Sequence, residues 1–365
     1  MNIRIFSYIV GGIVGTGIFL LPSTIISFGW SSVFSLIASS CVFCGLGYLF
    51  SCTNKPFDDM YEQIPSRRFN NIVSLGYWIL SWSSTIVVFY EMAQPLYYLI
   101  FGSAITTTGV IVIQLCLTFL FMGIQLLGSS NVSKIEIIVT IGKIIASILV
   151  PLLFIGYYMA SDVSKSIATC SFNGVISTFP SMMWMFLGIE CCSLLHGTKK
   201  TSSMVYAVIT ICIIYLLNIV AVLLNMSIGD TYPSLMNRMF ASGDIIMSLV
   251  IVLLCFGSSN SWFTSSTVTL QALSDRGVVS DKFLSYRNAM IASSVGLIPL
   301  SIVVNNPDAK VVFESVIDIF TIIAGIFYIC VAYAVMRKYN KKIVGISVIS
   351  VLSAFVSYKL ITMLI

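Results

Sequence analysis

Charged residues are scarce in this sequence. Only 9% of its 365 residues are Asp, Glu, Lys or Arg, whereas 58% are hydrophobic, and the mean hydropathy is +1.00. A water-soluble domain carries far more polar surface than this. The apolar runs are continuous rather than alternating, which excludes a β-barrel. The composition therefore predicts an all-α integral membrane protein embedded in a lipid bilayer.

Histidine is nearly absent, and cysteine is not arranged in loop pairs. The single histidine, His196, follows the end of an apolar segment beside two lysines, so a histidine-rich metal site is excluded. Nearly all of the ten cysteines lie inside apolar segments, and Cys170 in a loop has no loop partner. We therefore read the cysteines as packing residues. Without a nucleophile–base pair or a metal set, we expect no enzyme, no metal and no cofactor.

Polar and charged clusters divide the chain into about eleven segments of membrane-crossing length. Their limits are 5–28, 31–51, 72–101, 108–127, 135–159, 174–195, 203–225, 243–271, 288–304, 311–336 and 343–364. Fourteen Lys and Arg residues lie on the side of the N-terminus and three lie in the opposite loops. This bias predicts a cytoplasmic N-terminus, and it accounts for the net charge of +5 without a nucleic-acid partner.

The first segment contains four glycines in seven positions, Gly11, Gly12, Gly15 and Gly17, followed by Pro22. Glycine and proline both destabilise the interior of a helix, so a continuous helix is disfavoured here. A break within hydrocarbon is tolerated where the freed backbone groups line a cavity or meet a ligand. The alternative is a helix-packing face made by glycines four residues apart. A nucleotide loop would need a preceding strand, and a cleaved signal peptide would be shorter.

The sixth segment has Gly188 and Glu190 at mid-membrane depth, which predicts a second helix break. If 5–159 and 174–336 form two halves of five spans, the broken helices take the first place in each half. An odd number of spans gives the halves inverted topology, with 343–364 as an extra helix of one transmembrane domain over 1–365. The pairing predicts helix breaks at Gly12, Gly15 and Gly188 and a binding site at the interface between the two halves.

Three motifs carry a family resemblance, and they occur in the expected order: Gly15-Thr16-Gly17-Ile18-Phe19 with Leu21-Pro22, Trp184-x-Phe186-x-Gly188-x-Glu190, and Ser261-Trp262 with Gln271-Ala272-Leu273-Ser274-Asp275-Arg276-Gly277. They resemble the amino acid–polyamine–organocation (APC) superfamily, and within it the bacterial basic amino acid antiporters of the arginine/agmatine type. The resemblance implies a LeuT-type 5+5 inverted repeat with broken helices 1 and 6 in a bacterial inner membrane. The family usually has twelve spans, so one is missing here, and a homodimer is left open.

An amino acid presents a carboxylate and an ammonium on one carbon. The N–H groups at Thr16 and Gly17 suit the carboxylate, both by physics and by the resemblance. The resemblance assigns the ammonium to the carbonyl groups of Ile13, Trp184 and Leu187. It also assigns Trp262 to stacking against the substrate side chain, which favours a cationic or long one, and makes Ser81 and Thr85 substrate-facing. Ordinary helix packing is the alternative for the backbone positions, and for Trp262 the alternative is an aromatic side chain that fills the bundle or lies at the membrane interface.

Two charges lie deep inside predicted spans, Lys143 and Glu190. An ionised lysine at mid-span costs roughly 2.5–3.5 kcal/mol on insertion scales. In many superfamily members, a lysine matching Lys143 replaces the coupling sodium ion, so no sodium site is expected. Glu190 resembles a proton-sensitive link between gates, with Tyr77 and Tyr328 as hydroxyl partners and Phe186 as an aromatic gate. A structural carboxylate is the alternative for Glu190. Glu91 and Asp318 also lie within spans and are not assigned to the site.

The sequence thus predicts a secondary active amino acid transporter that works by alternating access, driven by a proton or by an exchanged substrate. An amino acid sensor on the same fold and a carrier of polyamines or other organic cations remain alternatives. A parallel-repeat sugar or drug carrier is a further one, because Ser274-Asp275-Arg276-Gly277 faintly resembles a loop motif of that group. Transport without a nucleotide-binding loop indicates that ATP is not the energy source.

Overall fold

The computed structural model describes residues 2–15, 17–53, 55–160, 170–190, 200–226, 230–304 and 309–364. Within these ranges the chain forms fourteen α-helices: α1 (Ile3–Ile13), α2 (Gly17–Phe28), α3 (Ser31–Ser51), α4 (Pro56–Gln63), α5 (Arg67–Phe101), α6 (Thr107–Leu126), α7 (Ser129–Ala160), α8 (Phe172–Trp184), α9 (Lys200–Asn225), α10 (Tyr232–Met239), α11 (Gly243–Asp275), α12 (Tyr286–Val304), α13 (Ala309–Tyr339) and α14 (Lys342–Leu364). A 3₁₀ helix at Asp281–Leu284 precedes α12.

Every one of the eleven predicted segments contains a helix. Among the described residues, eight helices are long and apolar enough to cross a membrane, namely α3, α5, α6, α7, α9, α11, α13 and α14. The three remaining segments are the two predicted to be interrupted, at 5–28 and 174–195, and the segment at 288–304 that corresponds to α12. The short helices α4 and α10 were not predicted.

The first span is broken where its glycines cluster. α1 ends at Ile13, and Val14 leaves the helical region with φ −76° and ψ 96°. The chain resumes as α2 at Gly17. A Cβ placed on Gly15 would collide with the side chain of Ser258 on α11. Glycine at this position therefore lets α11 approach the break closely enough to bond its backbone.

The sixth span is broken in the same manner. α8 ends at Trp184, and residues 185–188 form a turn in which Gly188 has a φ of +110°. A Cβ on Gly188 would lie 3.2 Å from the carbonyl carbon and oxygen of Gly12. Only glycine combines this backbone conformation with so close an approach. The two breaks are thus packed backbone to backbone, as the predicted fold requires.

The pattern of contacts between helices is similar when each helix is replaced by its equivalent in the other half of the chain. α3 packs against α9, α5 against α11, and α6 against α12, each pair holding equivalent places in the two halves. Several contacts between non-equivalent helices also come in exchanged pairs: α1 with α9 and α8 with α3, α7 with α9 and α13 with α3, α7 with α11 and α13 with α5. This pattern is that of a two-fold repeat, and it agrees with five spans in each half.

The short helices α4 and α10 follow the same exchange. Each has eight residues, begins with a proline in its first turn, and follows the second span of its half. α4 packs against α13 and α5, whereas α10 packs against α7 and α11. The two helices therefore occupy equivalent places in the two halves of the repeat.

α9 is fixed to α7 at a proline. Pro151 has no N–H, so the carbonyl group of Ser147, four residues earlier, lacks its helical donor. The Asn218 amide of α9 donates to that carbonyl oxygen at 3.2 Å, and one turn of helix separates it from Tyr215. Asn225 repeats the contact at the Phe154 carbonyl oxygen at 3.0 Å. These bonds set the position of α9, and with it the position of Tyr215.

Candidate functional site

The breaks in the two interrupted spans meet at one side chain, Tyr215 of α9. Its hydroxyl oxygen lies 2.9 Å from the carbonyl oxygen of Ile13, at the end of α1. It also lies 3.0 Å from the carbonyl oxygen of Met185, just after α8. The hydroxyl has one hydrogen, so it donates to only one of these oxygens at a time. Tyr215 is fully buried. Because the hydroxyl donates to one carbonyl oxygen at a time, the other carbonyl oxygen can accept a hydrogen bond from a ligand.

Among the backbone groups predicted to hold a zwitterion, those of Ile13 and Gly17 lie at this junction, and Trp184 directly precedes Met185. Gly17, the first residue of α2, lies close to Tyr215. A Cβ on Gly17 would lie 3.8 Å from the Tyr215 hydroxyl. The carbonyl oxygen of Ile13 accepts from Tyr215, and that of Trp184 accepts the Leu187 N–H at 3.1 Å. Each carbonyl oxygen has two lone pairs and can accept a second bond. Thr16, the other predicted carboxylate ligand, lies outside the described residues.

Lys143 of α7 reaches across to the first break and to α11. Its ammonium donates to the carbonyl oxygen of Gly11 at 2.7 Å and to the Ser258 hydroxyl at 3.1 Å. The Ser258 hydroxyl in turn lies 3.0 Å from the Gly11 carbonyl oxygen and 3.2 Å from that of Val14. Lys143 is fully buried. The cation therefore satisfies the Gly11 carbonyl group, and Ser258 contacts that of Val14, at the end of α1 where carbonyl groups lack helical donors.

Glu190 is held by both of the tyrosines that the resemblance pairs with it. The Tyr77 hydroxyl of α5 donates to one carboxylate oxygen at 3.0 Å, and the Tyr328 hydroxyl of α13 donates to the other. The Gly188 N–H adds a bond at 3.1 Å. Phe327 stacks on Tyr77 with 4.1 Å between ring centroids. The carboxylate thus joins the second break to α5 and α13.

The predicted aromatic and hydroxyl residues divide between two regions. Phe186 is fully buried and stacks on Phe43 with 5.0 Å between centroids. Trp262 lies in a second apolar cluster between α5, α6, α11 and α12, and Leu187 packs against both this cluster and the main core. The Ser81 and Thr85 hydroxyls donate to carbonyl groups of their own helix, at 2.9 Å and 3.2 Å. Leu187 is therefore the residue that connects Trp262 with the second break.

Reasoning from the sequence missed two groups of residues at the site. One is Tyr215, described above. The other is a buried cluster around Glu136 of α7, which lies seven residues before Lys143 and accepts hydrogen bonds from Asn260 and Ser261. The spacing from Lys143 was available as a signal, because positions seven apart share one helix face.

Three other titratable residues that the sequence singled out are given no role in the site. Glu91 is half-buried on α5, and the side chain of Asp318 lies outside the described residues, as does His196. The eight cysteines in the described ranges are free thiols. Where the chain is described, no three side chains of His, Cys, Asp or Glu converge on a position that could hold a metal ion.

Two interrupted spans that face each other across a two-fold repeat define a class, the secondary transporters of the LeuT-type fold. The sequence profile described as "Amino acid permease" matches residues 3–364. A protein of Bacillus subtilis (strain 168) named "Putative arginine/ornithine antiporter" is 26% identical over 322 residues, covering 73% of this chain and 67% of that protein. The chain belongs to the amino acid permease family.

The fold is also similar to that of a solved structure, titled "Crystal structure of MhsT in complex with L-phenylalanine". The two superpose with a TM-score of 0.70 over 99% of this chain and 98% of the other, at 13% sequence identity. This likeness shows the LeuT-type fold predicted from the sequence. Family and fold together confirm the predicted superfamily and the predicted class of function, secondary amino acid transport in a membrane.

Proposed function

We propose that the chain moves an amino acid across the membrane by alternating access, with the substrate held between α1, α2 and α8. The observation that carries the proposal is the junction at Tyr215, where a single hydroxyl group lies within hydrogen-bond distance of a backbone carbonyl group at each of the two breaks. A site built from backbone groups of two halves changes its exposure when the halves rock against each other. The residues of this site bind the substrate or move the helices, and none of them is proposed to be catalytic.

The substrate carboxylate lies at the N-terminus of α2, against the N–H groups of Thr16 and Gly17. Unpaired N–H groups and the helix dipole both favour an anion there. The ammonium lies against the carbonyl groups of Ile13, Trp184 and Leu187, and it shares Ile13 with Tyr215. The two charges of the zwitterion are thus met by backbone groups of opposite polarity, without a charged side chain.

The preferred substrates are basic amino acids. An indole face next to a cation contributes about 0.5–2 kcal/mol, and Trp262 supplies that face in the proposal. The Bacillus subtilis relative is named for arginine and ornithine. Ser81 and Thr85 line the side-chain end of the site. The antiporters that the sequence resembles often carry an amide side chain at the position of Thr85, and threonine gives a less polar contact there.

Lys143 and Glu190 couple the site to its driving force, which is a proton or an exchanged amino acid. Lys143 takes the place of a sodium ion between α1 and α11, so no sodium is required. Glu190, through Tyr77 and Tyr328, links the second break to the helices that close over it, with Phe186 as a gate. Contacts of Lys143 at 2.7 Å and 3.1 Å support the first role.

The membrane in the proposal is the bacterial inner membrane, with the N-terminus in the cytoplasm. The distribution of Lys and Arg, fourteen against three, supports this orientation. Self-association as a homodimer is part of the same proposal.

Counterflow in proteoliposomes tests the function. Vesicles loaded with one unlabelled amino acid receive the same labelled compound outside, over a panel of amino acids and polyamines at two pH values. We expect accumulation of labelled arginine or ornithine and loss of most pH dependence in Lys143→Ala. Lys359→Ala on α14 is the matched control and keeps the wild-type profile. Binding without flux for every compound would identify a sensor instead, and full pH dependence in Lys143→Ala would refute the coupling role.

A further inference from the structure

Glu136 lies at the centre of a buried polar cluster at the N-terminal end of α7. Its side chain is fully buried. One carboxylate oxygen accepts the Asn260 amide at 2.5 Å, and the other accepts the Ser261 hydroxyl at 3.1 Å and lies 3.4 Å from the Thr140 hydroxyl. A Cβ on Gly11 of α1 would occupy the position of this carboxylate. The acid is therefore packed directly against the first half of the broken span.

A chain of oriented hydrogen bonds ends on this acid. The Tyr286 hydroxyl of α12 donates to the side-chain oxygen Oε1 of Gln125 at 2.6 Å, and the Gln125 side-chain amide donates to Oδ1 of Asn260 at 2.9 Å. The Asn260 amide then donates to Glu136. Every donor points towards the carboxylate, so the bonds polarise one another in the same sense. The chain connects Glu136 with the end of α12 that follows the 3₁₀ helix.

Two hydroxyl groups beside Glu136 each have one hydrogen and two acceptors. The Ser261 hydroxyl lies 3.1 Å from Glu136 and 3.5 Å from the carbonyl oxygen of Tyr8. The Thr140 hydroxyl lies 3.4 Å from Glu136 and 3.1 Å from the carbonyl oxygen of Ser7. Ser7 and Tyr8 belong to α1. A hydroxyl that donates to the acid cannot donate to α1 at the same time.

We propose that Glu136 is a proton-dependent latch on α1. When Glu136 is ionised, it draws both hydroxyl hydrogens, because bonds to an ionised acceptor are about twice as strong as neutral ones. When Glu136 binds a proton, the hydroxyls turn to the Ser7 and Tyr8 carbonyl groups and tie α1 to α7 and α11. Release of the proton, by breaking the O–H bond of Glu136 and transferring the proton to cytoplasmic water, frees α1. The inference rests on the proposed function, which places α1 at the cytoplasmic side.

Other titratable and charged groups surround this cluster. They are Tyr8 and Arg4 on α1, Lys143 on α7 and Tyr286 on α12; further away, Cys255 on α11 lies near Lys143, and Glu91 on α5 lies near Cys255. Lys143 contacts Gly11 and holds α1 through a separate bond. Glu136 is the acid in contact with hydroxyl groups that also reach the α1 backbone. The latch therefore adds to the lysine and does not replace it.

Hydrogen exchange of α1 tests the latch in the full-length protein. Peptides covering 3–13 are followed by mass spectrometry in acidic and alkaline buffer, and each rate is divided by that of the same peptide unfolded. In the wild type we expect α1 to open more readily in alkaline buffer by roughly ten- to thirty-fold, as the loss of two hydrogen bonds predicts. Glu136→Gln, which cannot ionise, keeps α1 closed at both pH values.

Glu136→Asp retains an acid and keeps a pH-dependent profile. Glu91→Gln is the matched control, an intramembrane carboxylate on α5, and behaves as the wild type. A wild-type α1 with no pH dependence, or a pH dependence that survives in Glu136→Gln, would overturn the latch. Failure of the transport proposal has a different outcome, since counterflow would be absent while the exchange of α1 still followed pH through Glu136.

Discussion

Single residues differ in how well the sequence reveals them. Lys143 and Glu190 stand out because a charge inside an apolar span is costly and needs a reason. Tyr215 lies in a strongly apolar span and carries no such signal, although it bridges both breaks. Glu136 lies one residue inside the predicted start of its span, where a charged side chain ordinarily reaches water. The missed residues are those whose role depends on which helix faces them.

Substitution of Tyr215 by Phe removes only the bridging hydroxyl. The carbonyl oxygens of Ile13 and Met185 then lose a common donor, which costs on the order of 1–3 kcal/mol for a buried acceptor. We expect counterflow to fall by about ten-fold or more, with the protein still folded. Labelled-substrate counterflow and thermal unfolding of the purified protein measure the two effects.

Tyr206→Phe on the same helix is the control for this substitution. Tyr206 is 55% exposed and lies away from the junction. Its variant is expected to transport at the wild-type rate. Equal transport by Tyr215→Phe and Tyr206→Phe would show that the bridge between the breaks has no part in the transport cycle.

At the scale of helices, the breaks were predictable and the short helices were not. Clustered glycines mark a break because of their own backbone properties. α4 depends on distant partners: Arg276 at the end of α11 pairs with Asp58 and lies over the rings of Phe57 and Tyr61. Lys338 on α13 adds an ion pair with Asp59 at 2.7 Å. An eight-residue helix in water is marginal without such contacts.

Gly188→Ala tests the second break. Alanine at a φ of +110° is strained, which costs roughly 1–3 kcal/mol, and its Cβ would press on the Gly12 backbone. We expect the two breaks to be forced apart and counterflow to be lost. Gly156→Ala on α7 adds the same methyl group into open space and should leave transport unchanged. Full activity of Gly188→Ala would mean that the close approach of the two breaks is not required.

At the scale of the whole molecule, the number and order of spans were predictable because hydropathy and the Lys/Arg bias are properties of the chain itself. The prediction of two equivalent halves is supported by helix contacts that come in exchanged pairs. The sequence could not predict which helix reaches into the interface between the halves. α9 does so through Tyr215, and α7 through Lys143 and Glu136, which bond Ser258 and Asn260 of α11. These contacts arise from packing between distant parts of the chain.

The central claim is that backbone groups of two interrupted helices hold a zwitterion. Its most direct test is an experimental structure with the transported amino acid bound. We expect the carboxylate against the N-terminus of α2 at Gly17, the ammonium against the Ile13 carbonyl group, and the side chain towards Trp262. A substrate bound elsewhere, or first and sixth spans that run as unbroken helices through Gly15 and Gly188, would contradict the account.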